Sequence, residues 1–196
     1  MFKTDGYEYI RNFLDEPTRE LMSIYYENKI RHGDWKPADP NLPETKRMYS
    51  IYADYADSLT ESILLKKLPL VSRICGKELY PTYSYVRIYQ EGDTMERHVD
   101  RPSCEISLTV NIFTKKNKSI FYVEDLNSFV KKFNIEPGDA VIYLGEKIYH
   151  WRKPIEKDQF LVQFMLHYVD KNGPNKDYKY DKRPNLGYPF ESRKND

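Results

Sequence analysis

The 196-residue chain, with 40% hydrophobic residues, is long enough to bury one full core and suits a single globular domain, with or without a tail. Its 31 Lys+Arg against 30 Asp+Glu leave a formal net charge of +1, so no overall field collects nucleic acid or an anionic membrane. Cys75 and Cys104 form no CxxC pair and are too few for a disulfide framework, which points to a reducing compartment, by default the cytoplasm. Asp5, Glu8, Arg11, Asp15 and Glu16 interrupt the start of the chain too often for a signal peptide, and no run approaches the ~18 apolar residues of a membrane span. With 18 Tyr and 12 Pro, the chain takes from tyrosine much of the bulk that other cores take from Leu, Ile and Val, a choice that suits strands and binding grooves.

A first helix is predicted from Asp15 to about Arg31. Asp15 is its N-cap, Pro17 sits in its first turn, and Leu21, Ile24, Tyr25 and Asn28 follow at helical spacing. Pro37, Pro40 and Pro43 make Trp35–Thr45 an extended loop. A second helix is predicted between about Asp57 and Leu68, carrying Leu59, Ile63 and Leu64, with Pro69 stopping or kinking it. From Tyr80 the period changes to two: Tyr83, Tyr85, Arg87 and Tyr89 share one face, Val86 and Ile88 the other, and Glu91-Gly92-Asp93 breaks the run. Further strands are predicted at Cys104–Phe113, Ser119–Val123, Val130–Ile135, Ala140–Leu144 and Phe160–Val169, separated by turn signals such as Pro137-Gly138-Asp139. Six or more short strands without helices between them, preceded by two helices, give a mainly antiparallel β sandwich or barrel with N-terminal helices. The last segment, from Lys171, is rich in Gly, Pro, Lys and Asn, but Tyr178, Tyr180, Tyr188 and Phe190 suggest that part of it lies against the domain.

Only four histidines occur, at positions 32, 98, 150 and 167. In an extended segment His98 and Asp100 project to the same side, so one imidazole nitrogen and one carboxylate oxygen can reach a common ion. His150, just beyond the Ala140–Leu144 strand, is the candidate third ligand, and two His with one carboxylate is the donor set of non-haem Fe(II) oxygenases. Taken singly, a His-x-Asp pair is more often a surface hydrogen bond and a lone His a satisfied structural residue. The conjunction with a strand entrance, a Pro-Gly-Asp turn and an all-β second half is what carries the metal reading.

Tyr89-x(8)-His98-Val99-Asp100, then Pro137-Gly138-Asp139-Ala140-Val141-Ile142-Tyr143, then His150, resembles the double-stranded β-helix core of Fe(II)/2-oxoglutarate-dependent dioxygenases, particularly their prolyl 4-hydroxylase-like branch. The resemblance covers roughly residues 80–170. It implies a double-stranded β-helix (jelly-roll) core at about 80–170, helical support at about 1–79 in the same domain of residues 1–170, and a tail at 171–196 on or near the core. It also implies that His98, Asp100 and His150 hold Fe(II), with 2-oxoglutarate and O2 as cosubstrates, Tyr89 hydrogen-bonding 2-oxoglutarate, and ascorbate as a supporting reductant. The implied reaction is hydroxylation of an unactivated C–H bond, with a protein or peptide side chain as substrate and proline first.

One position departs from the family pattern. An Arg or Lys usually follows the distal His by about nine or ten residues and pairs with the C5 carboxylate of 2-oxoglutarate, but here Gln159 and Phe160 stand there. A buried dianion without a cation is costly, so another residue must supply the charge. Arg152, two after His150, is the first candidate, and Arg87, two before Tyr89, the second; Gln163 can add an amide. Among the aromatics, Tyr85, Tyr122 and Trp151, with Tyr83 and Tyr143, are candidates for the substrate pocket wall. Two readings from other classes stay open: a cupin-like hydrolase or isomerase using zinc or manganese, and a non-catalytic binding module with a tyrosine platform. Balanced charge argues against a nucleic-acid substrate.

Overall fold

The computed structural model describes residues 2–32, 52–116 and 119–194. The Trp35–Thr45 loop lies outside them. Three helices are present among the described residues: α1 (Phe2–Asp5), α2 (Glu16–His32) and α3 (Ser58–Cys75). Ten strands form two sheets. The larger runs β1 (Tyr7–Ile10), β8 (Ala140–Leu144), β5 (Ile106–Lys115), β10 (Phe160–Asp170), β3 (Leu79–Tyr89) and β2 (Tyr52–Tyr55); the smaller runs β4 (Met95–His98), β9 (Tyr149–Arg152), β6 (Ile120–Glu124) and β7 (Val130–Asn134). Every neighbouring pair is antiparallel. This is the mainly antiparallel β architecture expected from the strand pattern, in the jelly-roll form that the family resemblance implies.

Period-two alternation gives the larger sheet two unlike faces. One is apolar: Val86, Ile88, Leu108, Val110, Ile142, Phe164 and Leu166 pack beneath Met22 and Tyr26 of α2 and Ile63, Leu64 and Val71 of α3. The other face is polar and equally buried, and carries Tyr85, Arg87 and Tyr89 of β3, Ser107, Thr109 and Asn111 of β5, and Gln163, Met165 and His167 of β10. Apolar contacts from Val141 and Tyr143 to Met95, Phe121 and Val123 close the smaller sheet over one part of it. A sheet with both faces covered needs a reason for polar side chains on one of them, and the site below supplies it.

Several sequence expectations are corrected in detail. On α2 the buried residues are Met22 and Tyr26, whereas Leu21 and Ile24 are 60% and 52% exposed. Polar anchors set that rotation: the Tyr25 and Tyr26 hydroxyls donate to Asp57 at 3.0 and 2.9 Å, and Lys29 reaches both Asp54 and Asp57. Pro69 does not stop the second helix, because α3 continues to Cys75. The carbonyl it leaves without an N–H partner belongs to Leu65, on the half-exposed side of the helix where water can serve. Asp57 caps α3 by accepting from the Leu59 and Thr60 amides, and Gly76 closes it at φ +69°. The segment before residue 80 is more than helical support, since β1 and β2 form the two edges of the larger sheet. β1, β2, β4 and β9 have four residues each, too short for alternation to declare them. After β10, a 3-10 segment at Lys176–Lys182 packs on β3 and buries Asp181 and Arg183. No helix among the described residues is long and apolar enough to cross a membrane.

Candidate metal centre and anion pocket

His98 and His150 lie directly opposite each other in the β4–β9 pair, which points both rings to the same side, with centroids 4.3 Å apart. Asp100 follows in the bend after β4, fixed by its amide donating to the Gly145 carbonyl at 2.8 Å. Its Oδ1 is 3.6 Å from His98 Nε2 and 3.4 Å from His150 Nε2. The three residues offer ligand atoms within 4.8 Å of one another. Each ring is held from behind: His98 Nδ1 is 2.7 Å from the Glu96 carbonyl and His150 Nδ1 3.0 Å from the Ile148 carbonyl. A carbonyl only accepts, so both Nδ1 atoms carry a proton, and Nε2 of each ring is the atom turned toward the Asp100 oxygen. Two imidazole nitrogens and a carboxylate oxygen converging on one point fit a divalent cation. Burial by itself would raise the pKa of Asp100, but the adjoining His150 and His98 outweigh it and hold the carboxyl well below the usual range. The carboxylate is therefore ionised, as a ligand must be.

Beside this centre lies a second cluster. On β9, Arg152 is two residues after His150 and points to the same face; its guanidinium donates to the Ile120 carbonyl and to Gln163 Oε1 at 2.7 Å. Burial lowers the pKa of Arg152, the neighbouring Tyr89 opposes that fall, and the Arg87 charge adds to it. Arg87 is paired in register with Gln163 across the β3–β10 ladder. Both guanidinium carbons lie over the Tyr89 ring, at 4.9 Å for Arg87 and 5.1 Å for Arg152, and the Tyr89 hydroxyl donates to Met95 Sδ at 3.8 Å. Arg87 is 0% exposed, and none of its three guanidinium nitrogens has a hydrogen-bond partner among the described residues. A buried guanidinium normally binds a carboxylate or carbonyl; this one is presented to the polar face with its donors unspent.

The structure thus gathers His98, Asp100 and His150 in one group and Tyr89, Arg152, Gln163 and Arg87 in another. Gln159 is buried just before β10 and outside that group of four. Tyr85 lies on the polar face, packed with Tyr83, Cys104 and Met165, and Tyr143 stands 4.5 Å from the His150 ring. Tyr122 and Trp151 do not line the centre. They alternate with Val123 and His150, so they project from the opposite face of the smaller sheet, where their rings stack at 5.4 Å and 7° with Lys153 over Tyr122. Sequence reasoning also passed over Ser107 and His167, which touch the Asp100 side of the centre. The alternation of Leu161, Gln163, Met165 and His167 along β10 was the available signal for the latter.

No protein-family model matches the chain, and no curated protein matches it. Solved structures do. A prolyl-4-hydroxylase from Pseudomonas putida superposes with a TM-score of 0.65 at 14% identity, covering 85% of this chain and 94% of that one. HygX from Streptomyces hygroscopicus, solved with nickel and 2-oxoglutarate bound, gives 0.65 at 12% identity over 87% and 85%. A prolyl hydroxylase from Trichoplax adhaerens, in complex with a hypoxia inducible factor peptide fragment, gives 0.63 at 15% over 87% and 86%. The chain has the fold of the 2-oxoglutarate-dependent oxygenases. Within that oxygenase fold the neighbours include prolyl hydroxylases, in keeping with the branch that the sequence motif resembles.

Proposed function

We propose that the protein is an Fe(II)- and 2-oxoglutarate-dependent oxygenase that hydroxylates an unactivated C–H bond, with a peptidyl proline or another protein side chain as its substrate. The observation that carries this reading is Arg87, a fully buried guanidinium without a hydrogen-bond partner among the described residues, on the same buried face that a donor set of two histidines and one aspartate adjoins. In this assignment His98, Asp100 and His150 hold the iron. When bound together, iron, 2-oxoglutarate and O2 supply the oxidation, in which R–H, O2 and 2-oxoglutarate become R–OH, succinate and CO2.

The chain's own residues do the rest. Arg87 pairs with the C5 carboxylate of 2-oxoglutarate and takes the place of the usual cation on the last core strand. Arg152 is the flanking charge: its grip on Gln163 and the Ile120 carbonyl leaves it fewer free donors than Arg87 and orients the Gln163 amide. Tyr89, between the two guanidinium groups, offers its hydroxyl to the cosubstrate. Tyr143 and Phe121, both packed near the His150 ring, keep water from that side of the centre. Tyr85, Tyr83 and Met165 form the wall that a substrate side chain meets. Residues 1–170 act as one domain, residues 171–196 as its tail, and ascorbate as a supporting reductant; neither nucleic acid nor a membrane is a partner, and the cytoplasm is the site of action.

The fold is shared both with a prolyl hydroxylase solved with a peptide and with HygX solved with hygromycin B, so the peptide assignment is supported by the prolyl 4-hydroxylase-like motif around His98 and Asp100 rather than by the fold. The test is to incubate the protein with Fe(II), 2-oxoglutarate and a library of proline-containing peptides, following succinate and peptide mass together. Succinate that requires both iron and 2-oxoglutarate, with one oxygen atom gained by a peptide, is the expected result. Peptide-independent succinate alone would remove the peptide assignment, and no succinate with any substrate class would remove the oxygenase.

A further inference from the structure

β5 lies between β8 and β10, and their registers place Tyr143, Ser107 and His167 side by side in one row across the sheet. All three face the centre. Tyr143 packs on the His150 ring, whereas Ser107 sits against Asp100: its Oγ is 2.8 Å from Asp100 Oδ2, 2.9 Å from His167 Nδ1 and 3.2 Å from the Cys104 carbonyl. A serine hydroxyl has one proton. The nearest acceptor, and the only charged one of these, is Asp100 Oδ2, so the proton goes there and Ser107 Oγ must accept from His167 Nδ1–H. His167 is in turn fixed by its ring contact with Tyr83, centroids 4.5 Å apart. Asp100 Oδ1, by contrast, is the atom that faces His98 and His150.

Gly145 makes the close approach feasible. A Cβ at that position would lie 2.0 Å from the Cys104 carbonyl oxygen, 2.6 Å from Asp100 Oδ2 and 2.8 Å from Ser107 Oγ. Its carbonyl also accepts from the Asp100 amide, and its own amide donates to the Glu105 carbonyl. The loop and the sheet row therefore meet on Oδ2 and leave Oδ1 free.

We propose that Ser107 and His167 form a positioning relay that commits Oδ2 of Asp100 to the protein, so that Asp100 binds its metal through Oδ1 alone. The inference rests on the metal-centre reading and goes beyond it by assigning the two side chains, Ser107 and His167, that hold Asp100 in place. A carboxylate freed from Ser107 can swing to chelate through both oxygens and thereby takes a position that cosubstrate, substrate or O2 needs. Ser107 acts on the metal through Asp100, and His167 acts through Ser107.

The test uses the full chain. Mn(II) affinity is measured by calorimetry and the visible spectrum of the Co(II)-loaded protein is recorded, for wild type, Ser107→Ala and His167→Phe, with the metal-free Tm of each as the folding control. Expected are a 10- to 100-fold weaker Mn(II) affinity for Ser107→Ala, on the order usual for lost partners of metal ligands, and a smaller loss for His167→Phe. The Co(II) bands of Ser107→Ala change in intensity as the coordination number changes, which loss of packing alone does not produce. Wild-type affinity and an unchanged Co(II) spectrum in Ser107→Ala would overturn the relay while leaving the metal centre intact. Should Ser107→Ala be unfolded, His167→Phe decides between the same outcomes by the same two readouts. Failure of the wild-type chain to bind either metal would overturn the metal centre and the relay with it.

Discussion

Two buried arginines, Arg87 and Arg183, teach opposite lessons. Arg183, 3% exposed, is fully engaged: its guanidinium donates to Glu61 Oε1 at 2.6 Å, to the Thr82 carbonyl at 3.0 Å, and to the Tyr180 and Tyr188 carbonyls at 2.8 and 2.7 Å. Glu61 is completed by the Gly187 amide. A few residues away Asp181, also fully buried, holds Arg101 through two hydrogen bonds and accepts the Tyr55 hydroxyl at 2.7 Å. Tyr180, Asp181 and Lys182 adopt consecutive left-handed backbone conformations, which L-residues resist, and these side-chain ties hold the turn. In the tail, then, charges are closed on one another and the result is structure. Around Tyr89, two arginines stand together, and Arg87 bonds to no carboxylate among the described residues, which leaves its charge for something that binds.

That contrast is easiest to break by removing each arginine in turn. Arg183→Ala leaves Glu61 buried without its cation, so it is expected to cost about 3–5 kcal/mol of unfolding free energy, read by denaturant titration. Arg87→Met removes an uncompensated buried charge, so the metal-free protein keeps or gains stability. The same substitution weakens 2-oxoglutarate binding by about 2–5 kcal/mol, the usual penalty for losing one partner of a buried charge pair. Stability and binding thus part company at Arg87, whereas at Arg183 stability alone is at stake. Arg152→Ala is expected to weaken 2-oxoglutarate by less than Arg87→Met, because part of that guanidinium is spent on Gln163 and Ile120.

Acid sharpens the same comparison. Burial pushes Asp181 upward, but Arg101 and Tyr55 outweigh it and hold the carboxyl below its ordinary value of 3.8. A carboxyl whose folded pKa is depressed contributes stability that is present above the unfolded value and lost as pH falls through the folded one. The tail's contribution is therefore intact at neutral pH and fades below about pH 4. Tm measured against pH is expected to fall less steeply there for Asp181→Asn, from a lower starting point, than for wild type. The smallest expected effect is at Tyr122→Ala, on the outer face of the smaller sheet: about 0.5–1.5 kcal/mol from the lost stacking with Trp151, and no change in metal or 2-oxoglutarate affinity.

What sequence alone revealed follows from which signals are local. The β3 alternation separates Arg87 and Tyr89 from Val86 and Ile88 in the structure as in the sequence, because a buried strand keeps parity over its whole length. His98, Asp100 and His150 were legible as a conjunction, but what brings them together is a four-residue pair, β4 and β9, too short to read. Parity is also why Tyr122 and Trp151 were misplaced: each is one residue from an inward-facing neighbour, and aromatic character does not say which side of a sheet it faces. On α2 the same ambiguity was settled by Asp57, a residue from a different helix end that no local pattern contains. The free state of Arg87 is the least local fact of all. It depends on Gln163 standing opposite, on Arg152 being tied elsewhere, and on the lack of any carboxylate bonded to Arg87 among the described residues.

The most direct test of the central claim is calorimetric titration of 2-oxoglutarate into the anaerobic Mn(II)-loaded protein, with and without metal, in wild type and Arg87→Met. Metal-dependent micromolar binding in wild type that is lost in a folded Arg87→Met variant is the expected result. Equal 2-oxoglutarate affinity in the two proteins, or no binding in either, would contradict the assignment of Arg87 as the cation that receives the cosubstrate.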